Sequence, residues 1–266
     1  MYRTTSAAVI LVATAASADV VNFSDFSDTS GLVLNGSAAA TTTSDGEVMR
    51  LTNAAGNRAG SVFSETQVDA TDFSTKFSFR ISDPGGSIFD GNTENGADGF
   101  VFVVQPIDNS LGGLGQGIGY SGIGTSLGIE FDTWHNSANN DPSQSHVGVN
   151  LNGSVNHNSG LPTADISGPE LDDGDQWFTW IDYDGTTLEV RLSMVDARPV
   201  DALISYELDL TTVLGQDTAF VGFTSATGAA WANHDIIDWS YTGFVPAPGT
   251  AVLLGMAGIA TTRRRR

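Results

Sequence analysis

What most restricts this chain is its punctuation. Short runs rich in Val, Ile, Phe and Thr follow one another, divided by Gly, Asn, Asp and Ser clusters. No stretch between the termini carries the 3.6-residue period of an amphipathic helix. Lys76 to Ile81, Phe100 to Val104, Leu127 to Thr133, His146 to Leu151, Trp177 to Tyr183, Thr187 to Ser193 and Ala219 to Thr224 read as strands. Phe100-Val-Phe-Val-Val104 is apolar on both faces and is expected at the centre of a sheet. TLEVRLS alternates, so one of its faces is expected to be wet, and Asp184-Gly185 before it is a hairpin signal. Many short strands separated by turn signals predict an all-β protein, an antiparallel two-sheet β-sandwich.

The two ends read as addresses. Arg3 precedes the apolar run Ala7 to Ala16, and Ala16-Ser17-Ala18 is a small-x-small cleavage pattern. Residues 1–18 are therefore expected to be a bacterial-style signal peptide, with an apolar run too short to span a membrane permanently. At the other end, VPAPG (Val245 to Gly249) is followed by a short apolar run and by Arg263 to Arg266. Positive charge behind an apolar run keeps that end on the cytoplasmic side. This tail, 245–266, resembles the PEP-CTERM sorting signal of Gram-negative bacteria, with Ala247 in place of the usual glutamate. The resemblance implies processing by an exosortase-type enzyme, membrane contact only through this segment, and delivery to the cell surface or extracellular matrix. The folded unit is then expected at 19–244.

A unit of that size buries a core without staples. The lack of cysteine therefore excludes only a disulfide framework and Cys-ligated zinc. Acids outnumber bases 31 to 11, and five of the eleven bases are Arg3 and Arg263 to Arg266. Such a surface excludes binding nucleic acid through its backbone and admits divalent cations and neutral sugars. Gly117-Ile-Gly-Tyr-Ser-Gly122 matches G-x-G-x-x-G, but the segment after it is a strand rather than a helix. Nucleotide binding is excluded on that ground, and the glycines read as a flexible surface loop.

The richest chemistry lies in LGIEFDTWHNSANNDPSQSH, Leu127 to His146. Strand alternation puts Glu130, Asp132 and Trp134 on one face and Phe131 and Thr133 on the other. Asn136 and Asp141 come next, on a loop, and His146 opens the next strand, where the returning chain can set it beside Glu130. Carboxylate and amide oxygens suit Ca²⁺, while a set that includes imidazole suits a transition ion such as Mn²⁺. The set divides into two sites that Asp132 and Asp141 can bridge.

The spacing Glu-x-Asp-x-aromatic-x-Asn-x4-Asp-x4-His resembles the two-metal loop of legume (L-type) lectins, and with it their concanavalin-like jelly roll. The resemblance implies that Glu130, Asp132, Asp141 and His146 bind Mn²⁺ or a similar transition ion. It implies a Ca²⁺ site of Asp132, Asn136, Asp141 and the Trp134 carbonyl. Ala97-Asp98-Gly99 resembles the family's strand start, in which the aspartate follows a cis peptide and accepts a pair of sugar hydroxyls. Val221 to Tyr241 resembles its closing strands. By the same resemblance the carbohydrate site comprises Asp98, a backbone N–H near Gly113, Trp134, Asn136 and, as a second stacking surface, Trp231. Asn156 stands where the family usually has a serine holding a metal-bound water. His157 and His234 carry no motif and read as solvated loop residues, and His135 is expected to face away from the ligands.

Glycoside hydrolases of the laminarinase type share this sandwich and carry Glu-x-Asp-x-x-Glu. Glu130-Phe-Asp132-Thr-Trp-His135 begins alike, but His135 stands where the second carboxyl is needed. The expected function is therefore carbohydrate binding without catalysis, directed at a glycan or exopolysaccharide. The alternatives are such a hydrolase, or a Ca²⁺-rigidified matrix protein. Weak single sites would gain retention by multivalency, including in a homo-oligomer.

Overall fold

The computed structural model describes residues 20–88, 96–110 and 112–243. The expected signal peptide, the sorting segment and the boundary at Phe244 lie outside them. The described chain forms two eight-stranded sheets. The first runs β14 (Ile204–Glu207), β13 (Thr187–Ser193), β12 (Gln176–Tyr183), β7 (Phe73–Gly86), β16 (Ala230–Thr242), β4 (Gly46–Thr52) and β3 (Ala39–Thr43), with β1 (Val20–Phe23) also on β16. The second runs β11 (Thr163–Asp165), β10 (His146–Leu151), β9 (Leu127–Asp132), β8 (Gly99–Gln105), β15 (Thr218–Ala226), β5 (Ala59–Ser64) and β2 (Leu32–Gly36), with β6 (Val68–Asp69) also on β15. Neighbours pair antiparallel in both sheets. One five-residue helix, α1 (Leu210–Leu214), is the only α-helix among the described residues.

Period-two alternation builds the core. On β8, Phe100, Phe102 and Val104 point between the sheets, and on β9 Leu127, Ile129 and Phe131 do the same. They meet Phe77 and Phe79 of β7, Phe223 of β15 and Trp239 of β16. Phe100 stacks on Phe131 at 4.8 Å, and the Phe77 ring meets Phe223 edge-on at 4.9 Å. Val101 and Val103 face the opposite way, which is why FVFVV has no wet face. A second, smaller cluster covers them with Phe63, Ile118, Tyr120, Ile123 and Val155. This corrects the reading of the 117–122 segment as a flexible surface loop. Ile118 and Tyr120 are fully buried, and the Tyr120 hydroxyl accepts hydrogen bonds from Ser126 Oγ and the Gly153 N–H. The hairpin forms as expected, with Tyr183 opposite Leu188 and the Asp184 carboxylate accepting from the Thr187 N–H.

Register converges on one end of the second sheet. Gly99 of β8 pairs with Asp132 of β9, which pairs in turn with His146 of β10. Three adjacent strands therefore deliver Asp98, Asp132 and His146 to the same end of one sheet.

Phe77 contacts more rings than any side chain around it, so its truncation leaves a cavity several rings cannot fill. Phe77→Ala is expected to cost about 3–5 kcal/mol in denaturant unfolding. Val200→Ala, at an exposed position, is expected to stay within about 0.5 kcal/mol.

Candidate functional site

Alternation on β9 sends Glu130 and Asp132 away from the core, yet both are buried. Glu130 Oε2 accepts a hydrogen bond from Asn150 Nδ2 of β10 at 2.5 Å. His146 Nε2 lies 3.4 Å from Glu130 Oε1, and the His146 Nδ1 faces the Ser143 carbonyl at 3.2 Å. A carbonyl only accepts, so a neutral His146 carries its proton on Nδ1 and presents a bare Nε2 to the acids. Gly148 sits opposite Glu130, and a Cβ there would stand 2.4 Å from Glu130 Oε1. Only glycine leaves this carboxylate its room.

The loop after β9 wraps over the acids through its own backbone. The Trp134 N–H donates to Asp132 Oδ1 at 2.7 Å, and the Asn136 N–H donates to Asp141 Oδ2 at 2.6 Å. Asn136 Nδ2 donates to the Trp134 carbonyl at 3.2 Å. Asp132, Trp134, Asn136 and Asp141 are thus drawn into one turn.

Asp98 approaches from the neighbouring strand. The Ala97–Asp98 peptide is cis, as the resemblance implies. The Asp98 carbonyl accepts from the Thr133 N–H at 3.3 Å, which ties it to the end of β9. Gly99 adopts φ +112°, and a Cβ there would lie 2.2 Å from the Phe131 carbonyl oxygen. Asp98 Oδ2 is buried and has no hydrogen-bond partner. A Cβ on Gly228 would lie 3.5 Å from that oxygen and 3.6 Å from the Gly115 Cα, so the 112–124 and 227–229 loops close around the carboxylate.

Three expectations change, and the position of Asn156 is defined. The Gly113 N–H donates to the Ser121 carbonyl at 2.7 Å and is not an available donor; Gly115 is the part of that loop nearest Gly228 and Asp98. Asn156 does not face the acids with a free side chain. Its Oδ1 accepts from Asn140 Nδ2 and the Asn158 N–H, and its Nδ2 donates to the Ala138 carbonyl. His157 is not solvated. Its Nε2 lies 2.8 Å from Glu130 Oε1, 3.3 Å from His146 Nε2 and 3.6 Å from Asp141 Oδ1. His234 is fully buried: the Gly99 N–H donates to its Nε2 at 3.1 Å, so its Nδ1–H donates to Thr52 Oγ1 at 2.7 Å. Ser225 Oγ, 3.1 Å from Thr52 Oγ1, completes the string by donating to the Gly99 carbonyl at 2.7 Å. Trp231 is half-buried, its indole lying against Gly85 and near Gly56.

The electrostatics are those of an acid cluster. Burial pushes Asp132 well above the usual carboxylate range, and the charges of Glu130, Asp141 and Asp98 push the same way. Burial also raises Asp141. It raises Asp98 to about 7, against a weaker pull from the nearby Gly228 N–H, which is itself committed to the Ala230 carbonyl. Glu130 goes the other way: burial opposes its charge, but the close approach of the His146 and His157 imidazoles holds it low. His157 is raised, because Glu130 and Asp141 outweigh a burial that favours the neutral ring.

These residues fit a divalent cation. The donor set is hard oxygen plus imidazole, Glu130 Oε1 is buried with no partner in hydrogen-bond geometry, and Glu130, His146 and His157 place ligand atoms within 4.8 Å of one another.

A β-sandwich that gathers an acid-rich loop and a buried, unpartnered aspartate at one sheet end defines a lectin-type carbohydrate-binding fold. The legume lectin domain model matches residues 19–251, past the expected end at Phe244, and the chain belongs to that family. It is 34% identical over 179 residues to the L-type lectin-domain containing receptor kinase VIII.1 of Arabidopsis thaliana, across 65% of this chain and 24% of that protein. It is 28% identical over 261 residues to the probable L-type lectin-domain containing receptor kinase VII.2 of the same plant, across 89% of this chain and 36% of that protein. The chain thus spans about a quarter to a third of the length of these relatives. Among solved structures it resembles basic winged bean lectin with Tn-antigen, at TM-score 0.69 and 26% identity over 85% of this chain and 98% of the other. Winged bean acidic lectin complexed with methyl-α-D-galactose is similar at TM-score 0.68 and 25% identity over the same shares.

His234 gives the fold a pH dependence of known sign. Burial pushes its imidazole from 6.5 down to about 3, with the Arg50 charge acting the same way. The unfolded chain therefore binds more protons in that window, and this contribution is complete above pH 6.5 and lost as pH falls toward 3. Comparing native chain with His234→Gln by denaturant titration at several pH values should show a steeper loss in the native chain. The difference is expected to approach about 1.4 kcal/mol per pH unit; parallel curves would assign the dependence elsewhere.

Proposed function

We propose that this chain is an exported lectin whose sugar site is ordered by a Ca²⁺ ion and a transition ion held in the loop after β9. The observation that carries the reading is Asp98: a buried carboxylate oxygen without a partner, tied by backbone to the end of β9 and walled by glycine loops. A buried acceptor left unpaired costs on the order of 1–3 kcal/mol, which a sugar hydroxyl would recover. Glu130, Asp132, Asp141 and His146 would hold the transition ion, and Asp132, Asp141, Asn136 and the Trp134 carbonyl would hold Ca²⁺. Bound cations supply the positive charge that offsets repulsion among these acids.

The chain's own groups do the recognition. Asp98 accepts from a pair of hydroxyls, Asn136 Nδ2 donates once released from the Trp134 carbonyl, and the half-buried Trp134 offers a ring face. Trp231 is proposed as a second stacking surface through the exposed part of its indole. The target class is a neutral glycan, such as an exopolysaccharide, and retention is strengthened by clustering of copies. Export by the N-terminal signal and processing of the 245–266 tail by an exosortase-type enzyme would place the protein at the surface or in the matrix of a Gram-negative bacterium.

A glycan array on the full chain, with and without EDTA, tests this. Retention that EDTA abolishes, with no reducing ends released, is the expected result; released reducing ends would mark a hydrolase. Asp98→Ala should abolish retention while leaving the thermal stabilisation by added metal intact. Asp132→Ala should lose both. Normal glycan retention by Asp98→Ala would remove Asp98 from the site.

A further inference from the structure

His157 is left without a role by the metal assignment above, yet it is buried among the assigned ligands. Its chain position is fixed independently of its ring. The His157 N–H donates to the Asn139 carbonyl at 2.9 Å, and Asn156, which caps the 3-10 turn His157–Ser159, is hydrogen-bonded to Ala138 and Asn140. The loop that carries Asp141 and the loop that carries His157 are thus sewn together. Gly148 leaves space for the ring as well as for Glu130, since a Cβ there would come within 3.1 Å of His157 Cε1.

We propose that His157 is a second imidazole ligand of the transition-ion site. The proposal rests on the metal-dependent reading above and changes its chemistry. Glu130, Asp132, Asp141, His146 and His157 then form a set of two nitrogens and three carboxylates. Neighbouring donors around an ion with bonds near 2.1 Å lie about 3.0–3.4 Å apart, whether right-angled or tetrahedral. Glu130 Oε1, His146 Nε2 and His157 Nε2 are separated by 2.8, 3.3 and 3.4 Å. The Nδ1–H of His146 on the Ser143 carbonyl is the support a ligating imidazole commonly has, and it leaves that Nε2 free to bind. Oxygen-rich sites suit Mn²⁺, whereas each added imidazole favours later ions. The site therefore selects Zn²⁺, Ni²⁺ or Co²⁺ over Mn²⁺.

The test uses the full chain, stripped with EDTA, dialysed and reloaded with Ca²⁺. Equimolar Mn²⁺ and Zn²⁺ are then added in competition and the bound metals counted by elemental mass spectrometry. The native chain should retain Zn²⁺ in preference, and His157→Ser should shift the Zn:Mn ratio toward Mn²⁺ by roughly tenfold or more with Ca²⁺ content unchanged. Proton NMR of the Co²⁺-loaded native chain gives a readout that needs no variant. Two paramagnetically shifted imidazole N–H resonances are expected, one per ligating ring. A single shifted resonance in the native chain, or an unchanged ratio in His157→Ser, overturns the proposal. Glycan retention measured on the same samples separates the two readings. Retention with one shifted resonance sinks the His157 ligand alone; two resonances without retention sink the sugar site alone.

Discussion

Four carboxylates and two imidazole rings are buried together at one end of a sandwich whose main core is a cluster of aromatic and aliphatic side chains. Like charges in a medium of low polarisability repel far more strongly than in water. That is why burial and mutual repulsion push Asp132 so far from its ordinary range. Protons relieve the repulsion by neutralising the oxygens, and a divalent cation relieves it while leaving them charged. Everything else in the site is arranged so that these groups stay where they are costly.

The arrangement works because the strands that carry the acids are packed on both faces. Phe100, Phe131 and Phe79 interlock on the inner side of the strands that carry the acids, and Ile118 and Tyr120 cover the outer side. A close-packed interior does not yield continuously to strain. The register of Gly99, Asp132 and His146 is therefore fixed by packing of apolar neighbours rather than by the polar groups themselves. The lectin loop is a passenger on that register, held by short backbone hydrogen bonds to two of its own acids.

How much of this is legible in the sequence depends on range. Glu130 and Asp132 on one face and Phe131 on the other come from alternation inside one strand. The runs read as strands fall in strands, apart from Thr133, which lies just past the end of β9. Asp98, Asn136, Asp141 and His146 are reachable through one local spacing pattern and one tripeptide. The named runs begin only at Lys76, while β1 to β6 lie earlier, in segments with weaker patterning. His157 and His234 escape sequence reasoning for a physical reason. Each owes its environment to a partner distant in sequence, Glu130 for one and Gly99 for the other. Adjacency is the one available clue for His157, since it directly succeeds Asn156, the position that departs from the family pattern. Gly113 and the 117–122 segment are opaque in the same way. Nothing in a glycine-rich stretch reveals that Ser121 uses the Gly113 N–H, or that Ile118 and Tyr120 lie under a second core.

The groups proposed for recognition are consequently held by two different means. Asp98 is gripped on the β9 side through the Thr133 N–H, and its neighbour Gly99 is gripped by His234 from the opposite sheet and by Ser225 of the adjacent β15. That second grip is made of neutral, fully directed hydrogen bonds, so it does not depend on the charge balance among the acids. Trp134 and Asn136 are anchored differently, through Asp132, Asp141 and each other. Any change that lets the acids spread apart moves Trp134 and Asn136 first. Asp98 is anchored apart from them, so a fixed carboxylate stands beside a loop whose shape follows how the acid cluster is neutralised.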